Sequence, residues 1–207
     1  MEESITNHDK LSNKQLLDTL KTAVATSKRS LYEDGILLIL WGATLAVGFF
    51  LHYYRSTHLV VWRTRNVLDV LNILAAVLLI GFTIYYIFLR KPKQRTYTAI
   101  STRFVWVGII IAHNLNVIVT KSLLDEVDFA LIHPLQMVLI GFALFVTGGI
   151  YRYNLLSVSG VVMWLAAVLC ARIELADQYL IRAIANFICF VIPGVLMYMQ
   201  SKKTAHV

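Results

Sequence analysis

Six apolar stretches separated by short polar connections fill residues 35–200 of this 207-residue chain. An α-helix rises about 1.5 Å per residue, so about 20 residues cross the roughly 30 Å hydrocarbon layer of a bilayer. Each stretch is near that length, and no soluble segment is large enough to cover them. The chain therefore reads as an all-α, polytopic membrane protein with six transmembrane helices, expected over 36–53, 67–89, 104–120, 129–150, 155–171 and 179–199. Three parts follow: a cytoplasmic amphipathic segment over 1–34, the six-helix transmembrane domain over 35–200, and a short cytoplasmic tail over 201–207. The connections are short, so successive helices should pack as antiparallel neighbours.

Charge supports the same reading. Charged residues make up 15% and hydrophobic ones 58%, with mean hydropathy +0.67, against about 25% charged in soluble domains. A net charge of +7 in a soluble protein would suggest nucleic acid, but here the positive residues flank the apolar spans, and no nucleic-acid partner is expected. Thirteen of the nineteen Lys and Arg fall in the amino-terminal segment, the connections after the second and fourth spans, and the tail; six fall on the other side. The positive-inside rule then puts both termini in the cytoplasm and the chain in the cell inner (plasma) membrane. Tyr53, Tyr54, Trp62 and Tyr179 on one side, and Tyr85, Tyr86, Trp106, Tyr151, Tyr153 and Tyr198 on the other, fit interfacial aromatic belts. A mixed-charge segment without a cleavage site precedes the first span, which is therefore expected to be retained. Cys170 and Cys189 both lie inside spans and supply neither a disulfide framework nor a CxxC motif.

In the amino-terminal segment, Ser12 followed by Gln15 fits a capping box, and no Pro or Gly interrupts 13–33. A helix there carries an apolar stripe of Leu17, Leu20, Val24 and Leu31, with Lys14, Lys21 and Lys28 beside it at spacings of seven. That arrangement suits an anionic lipid surface, with lysines reaching the headgroups. Packing against the ends of the bundle is the simpler alternative, and docking of a separate protein a third.

Ionisable and amide groups inside apolar spans are costly, so they face the bundle interior or water. Here they pair at helical spacing: Asp69 with Asn72, His113 with Asn116, His133 with Gln136, and Arg182 with Asn186. Spacings of three and four place each pair on one side of its helix. In the topology above, His52, Asp69, Asn72, His133, Gln136, Arg182 and Asn186 collect in the outer half of the membrane. His113 lies about 14 Å along its helix, at the floor of that group. His52, Asp69, Asn72, His113, Asn116, His133, Gln136, Arg182 and Asn186 thus form a candidate polar pocket opening outward. The simplest alternative is interhelical hydrogen-bond glue, with Asp69 paired to Arg182.

Specific chemistry has less support. A metal or haem would need His52, His113 and His133 to converge from different helices without any local ligand motif; no cofactor is otherwise expected. Ser157-Val158-Ser159-Gly160 resembles the Gly-x-Ser-Gly nucleophile motif of rhomboid proteases in three of four positions. The last span has no histidine to act as base, and a serine without a base is not activated. These residues read instead as small side chains allowing close packing, as do Gly42 with Ala46, Ala167 with Ala171, and Gly108, Ala112 and Asn116 in series. Such faces join helices within one chain or between chains. Pro134 and Pro193 should bend or locally open their helices. The chain is accordingly read as a non-catalytic partner or sensor component with an outward-facing polar pocket, in contact with lipid and with a membrane-protein partner or a second copy. A small-solute or ion transporter subunit and an intramembrane haem or metal protein are the alternatives.

Overall fold

A computed structural model describes residue 18 and residues 35–58, 62–88 and 97–205. The helix expected over 13–33 and its lysines Lys14, Lys21 and Lys28 lie outside the described residues, apart from Asp18, which is helical. The described residues contain no strand. Five helices run in order: α1 (Gly35–Thr57), α2 (Trp62–Phe88), α3 (Tyr97–Leu124), α4 (Phe129–Tyr151) and α5 (Asn154–Cys170). The sixth rod is composite, with α6 (Leu175–Asn186), a π-helical turn (Phe187–Val191) and α7 (Ile192–Ala205).

The π turn has a local cause. Pro193 carries no N–H, so the α-helical bond back to the Cys189 carbonyl cannot form, and just before it the Ile192 N–H reaches the Phe187 carbonyl instead. One residue is thereby taken into a wider turn, a feature often found at functional positions. It swings the Phe190 side chain toward α1, where Gly42 leaves space: a Cβ on Gly42 would lie 2.5 Å from that of Phe190.

The core lies among α4, α5 and the composite rod, with Met137, Leu144, Leu156, Met163, Cys170, Cys189, Phe190 and Met197 packed together. The α4–α5 turn closes by a Schellman pattern in which Arg152, with φ of 52°, donates to the Gly149 carbonyl and Tyr153 donates to that of Gly148. Ser157, Ser159 and Gly160 do serve close packing there. Ser157 donates to the Phe145 carbonyl, Ser159 to that of Leu155, and Gly160 meets Gly141 across the crossing.

Among the described residues α1 lies along α6, the π turn and α7, α2 comes close only to α1, and α3 runs along α4 and places Trp106 against Phe190 of the π turn. Burial separates the two groups. The apolar stretches of α2 and α3 are each 6% buried, against 44% for α4 and 50% for the composite rod. Val70, Ile73, Val77 and Leu78 of α2 and Ile110, Ile118 and Val119 of α3 are exposed, more apolar surface than a soluble monomer tolerates. Five of the helical spans are long and apolar enough to cross a membrane, and α5 is apolar over 17 residues. The fold is compatible with a membrane protein whose outer helices touch lipid. Gly108, expected to mark a packing face on α3, has no neighbour within 4 Å of a Cβ placed on it and makes no contact within the chain.

Candidate functional site

Four polar residues meet where α1 ends and α2 begins. Arg55 in the last turn of α1 donates to the Asp69 carboxylate of α2, and its second terminal nitrogen lies 3.2 Å from Nδ1 of His52. A guanidinium can only donate, so Nδ1 accepts. The Asn72 amide nitrogen lies 3.4 Å from Nε2 of the same ring, and Asn72 fits there because Gly48 opposite has no side chain. Leu51, His52, Arg55, Leu68, Asp69 and Asn72 line a crevice of about 10 Å³, room for about one water molecule.

The expected Asp69–Arg182 ion pair does not form. α2 touches α1 and no other helix, so Asp69 reaches Arg55 across the short 58–61 connection and comes no nearer to α6. The Asp69 side chain is 44% exposed, which limits the value of its pairing. A double-mutant cycle on Arg55→Gln and Asp69→Asn in detergent should give a coupling of about 0.5–1 kcal/mol. The same cycle on Asp69 and Arg182 should give none, and a measurable coupling there would contradict this arrangement.

The second part of the cluster joins α1, α3, α4 and α6. His113 accepts from the Gln136 amide at 3.0 Å. His133, buried, packs edge-on to Tyr179 at 4.9 Å between ring centroids and at 6.0 Å from Phe49. Tyr179 stacks on His52 at 5.4 Å, so one tyrosine links the α1 and α4 histidines. The Arg182 guanidinium lies over the Phe49 ring, 4.1 Å from its centroid. Asn186 turns back on its own helix and donates to the Arg182 carbonyl, while the Asn116 amide nitrogen has no partner. His52, Asp69 and Asn72 lie near the end of α1 and the start of α2, and His133, Tyr179 and Arg182 in the first turns of α4 and α6. Elsewhere, Trp41 donates to Thr83 between α1 and α2 at 3.0 Å.

Arg182 is the energetic anomaly. It is 4% exposed, and among the described residues it has neither a carboxylate nor a hydrogen-bond acceptor. Burying an ion costs several kcal/mol even after relaxation, while a desolvated cation–π contact returns about 2 kcal/mol. Nε of Arg182, Nδ1 of His133, Nδ2 of Asn116 and Oδ1 of Asn186 are all buried without partners. Thr102, Thr147 and Gln178 each have one such atom as well; native proteins leave few, and the four on Asn116, His133, Arg182 and Asn186 include the one on a charged group, which needs an explanation.

No protein-family model, no curated protein and no solved structure matches this chain.

Function must therefore be read from the site alone. Among the described residues no three His, Cys, Asp or Glu side chains are grouped as a metal site. His52 and His113 each have Nε2 beside an amide, and Tyr179 packs on both His52 and His133. Cys170 and Cys189 are buried and free.

Reading the sequence placed Arg55 among connection charges and Tyr179 in an interfacial belt, and it passed over Phe49 and Gln178. Gln178 had a usable signal, since Gln178, Arg182 and Asn186 recur every four residues. It was missed because the last helix begins at Leu175, a turn earlier than hydropathy suggests. The Gln178 side chain is 2% exposed. Its amide nitrogen sits 3.2 Å from the Ala130 carbonyl, 2.9 Å from that of Cys170 and 3.2 Å from that of Ile173. Ala130 is the residue whose α-helical partner would be the missing N–H of Pro134. Gln178 supplies the donor that this proline withholds, so Pro134 stays inside a continuous α4, and it also serves carbonyls at the end of α5. It locks the helices that hold His133 and Arg182 in place.

Proposed function

We propose that this protein is a multi-pass protein of the cell inner membrane, with both termini in the cytoplasm. It acts as a non-catalytic sensor or partner component whose outward-facing polar cluster receives a small polar or charged group. The observation that carries this reading is the set of buried, unpartnered polar atoms on Asn116, His133, Arg182 and Asn186. Hydrogen-bond glue alone should satisfy its own members, because that is where its stabilisation comes from. Polar groups without partners are available to a ligand. The charge bias of the chain and the aromatic residues near its span ends support the orientation.

Native mass spectrometry of the full chain, released from a mild detergent, tests this reading. The expected spectrum carries a small retained mass, or a second protein, that is lost from His133→Ala while the fold persists by circular dichroism. A folded wild-type protein that carries neither would remove both the ligand and the partner reading.

A further inference from the structure

Among the described residues, no acidic group forms an ion pair with Arg182. Asp69 is engaged by Arg55 of α1. Asp177, five residues before Arg182 on the same helix, is exposed, and five residues turn it about 140° from Arg182 around the helix. Asp128 spends its carboxylate capping α4, accepting from the Ala130 and Leu131 backbone N–H groups. No ion pair to Arg182 exists among the described residues, and its Nε is buried without a hydrogen-bond partner. Arginine does not escape burial by losing its proton.

The guanidinium carbon sits over the Phe49 ring, 4.1 Å from its centroid. A guanidinium carries a planar fork of N–H donors that matches the two oxygens of a carboxylate or phosphate. Tyr179, one turn before Arg182 on the same face of α6, packs against His133, whose Nδ1 is buried and unpartnered. A cation next to a phenol and an imidazole is a donor-rich environment for an oxyanion.

We propose that Arg182 anchors an oxyanion-binding site: placed over the Phe49 ring, its guanidinium takes a carboxylate or phosphate group through its N–H fork, with His133 and Tyr179 beside it. This names the ligand class for the pocket proposed above and rests on that reading. Two sources share the chemistry. A small anion can enter from the aqueous end of the cluster. The headgroup of an anionic lipid can enter sideways, because α2 and α3 make no contact with each other and each carries a cluster residue, Asn72 and His113 respectively.

The test uses the full chain in phosphatidylcholine nanodiscs, as wild type, Arg182→Gln and Arg182→Lys. Thermal unfolding is followed with and without inorganic phosphate, and native mass spectrometry counts retained phosphatidylglycerol after exchange into nanodiscs containing it. For a free anion, phosphate should raise the wild-type Tm by about 3 °C or more. For a lipid headgroup, the wild type should retain at least about tenfold more phosphatidylglycerol than Arg182→Gln, with little response to phosphate. In either case Arg182→Gln should lose the effect. It should also unfold no earlier than the wild type in anion-free phosphatidylcholine, because it removes an uncompensated charge. Arg182→Lys keeps the charge without the fork and should bind about tenfold more weakly. The proposal is overturned by a wild type that responds to neither probe, a result needing no variant to fold, or by an Arg182→Gln protein that responds as the wild type does. A neutral retained mass that depends on His133, with no anion response, would overturn this inference while leaving the pocket reading intact.

Discussion

Gln178→Glu should lower the stability of the detergent-solubilised protein by about 4 kcal/mol, and Gln178→Leu by about 2–3 kcal/mol. The Gln178 amide nitrogen faces the carbonyls of Ala130, Cys170 and Ile173, all acceptors. Leucine removes the donor and leaves the Ala130 and Ile173 oxygens without it, each costing about 1–3 kcal/mol when wholly unsatisfied, while the Cys170 oxygen keeps the Ile173 N–H at 3.4 Å. Part of the loss is returned, because Oε1 of Gln178 is itself buried without a partner and disappears with the side chain. Glutamate is worse: ionised, it directs oxygen at oxygen, and protonated it has one hydrogen for three acceptors. Reversible denaturation followed by circular dichroism measures both variants. A Glu variant as stable as the wild type would show that Gln178 does not hold α4, α5 and α6 together. Pro134→Ala offers a cross-check. It restores an N–H for the Ala130 carbonyl, so the loss from Gln178→Leu should be smaller in that background.

The second large effect is at the α4–α5 crossing. A Cβ on Gly160 would lie 2.6 Å from the Gly141 carbonyl oxygen and 2.8 Å from the Phe145 nitrogen. These are backbone atoms and cannot turn aside, so Gly160→Ala must push two helices apart. Trp164 holds the same crossing, its indole N–H donating to the Val138 carbonyl at 3.0 Å. The expected cost is about 3 kcal/mol. Gly108→Ala is the control, since a methyl there meets nothing within 4 Å. With no clash to offset it, the gain in helix propensity should stabilise the protein by about 0.5–1 kcal/mol. Equal effects of the two alanines, measured by the same denaturation, would mean that the crossing is looser than its geometry.

Helix positions were readable because they depend on local composition. An apolar run of about 20 residues can satisfy its backbone in lipid only by closing its own hydrogen bonds; α4 and α5 match their expected limits to one residue, α1 and α2 to about one turn, and α3 starts at Tyr97, about two turns before its expected start at 104. Pro193 was readable for the same reason, since a missing N–H disturbs its own turn whatever surrounds it. Pro134 shows where this logic ends. Its carbonyl partner is rescued from 48 residues away by Gln178, and no local rule reports such a distant donor.

The candidate site divides in the same way. Helical spacing alone put Asp69 beside Asn72, His133 beside Gln136 and Arg182 beside Asn186, because the turn of an α-helix decides which residues share a face. Which face meets which helix was not legible. Asp69 and Arg182 look complementary as isolated charges, yet Asp69 pairs with Arg55 because α2 packs only on α1. Periodicity and hydropathy, which act over a few turns, therefore determined the helices and which polar groups share a helix face. The tertiary structure decided the partners, by setting which helices are close enough for their side chains to touch, and in doing so left the charge of Arg182 unanswered.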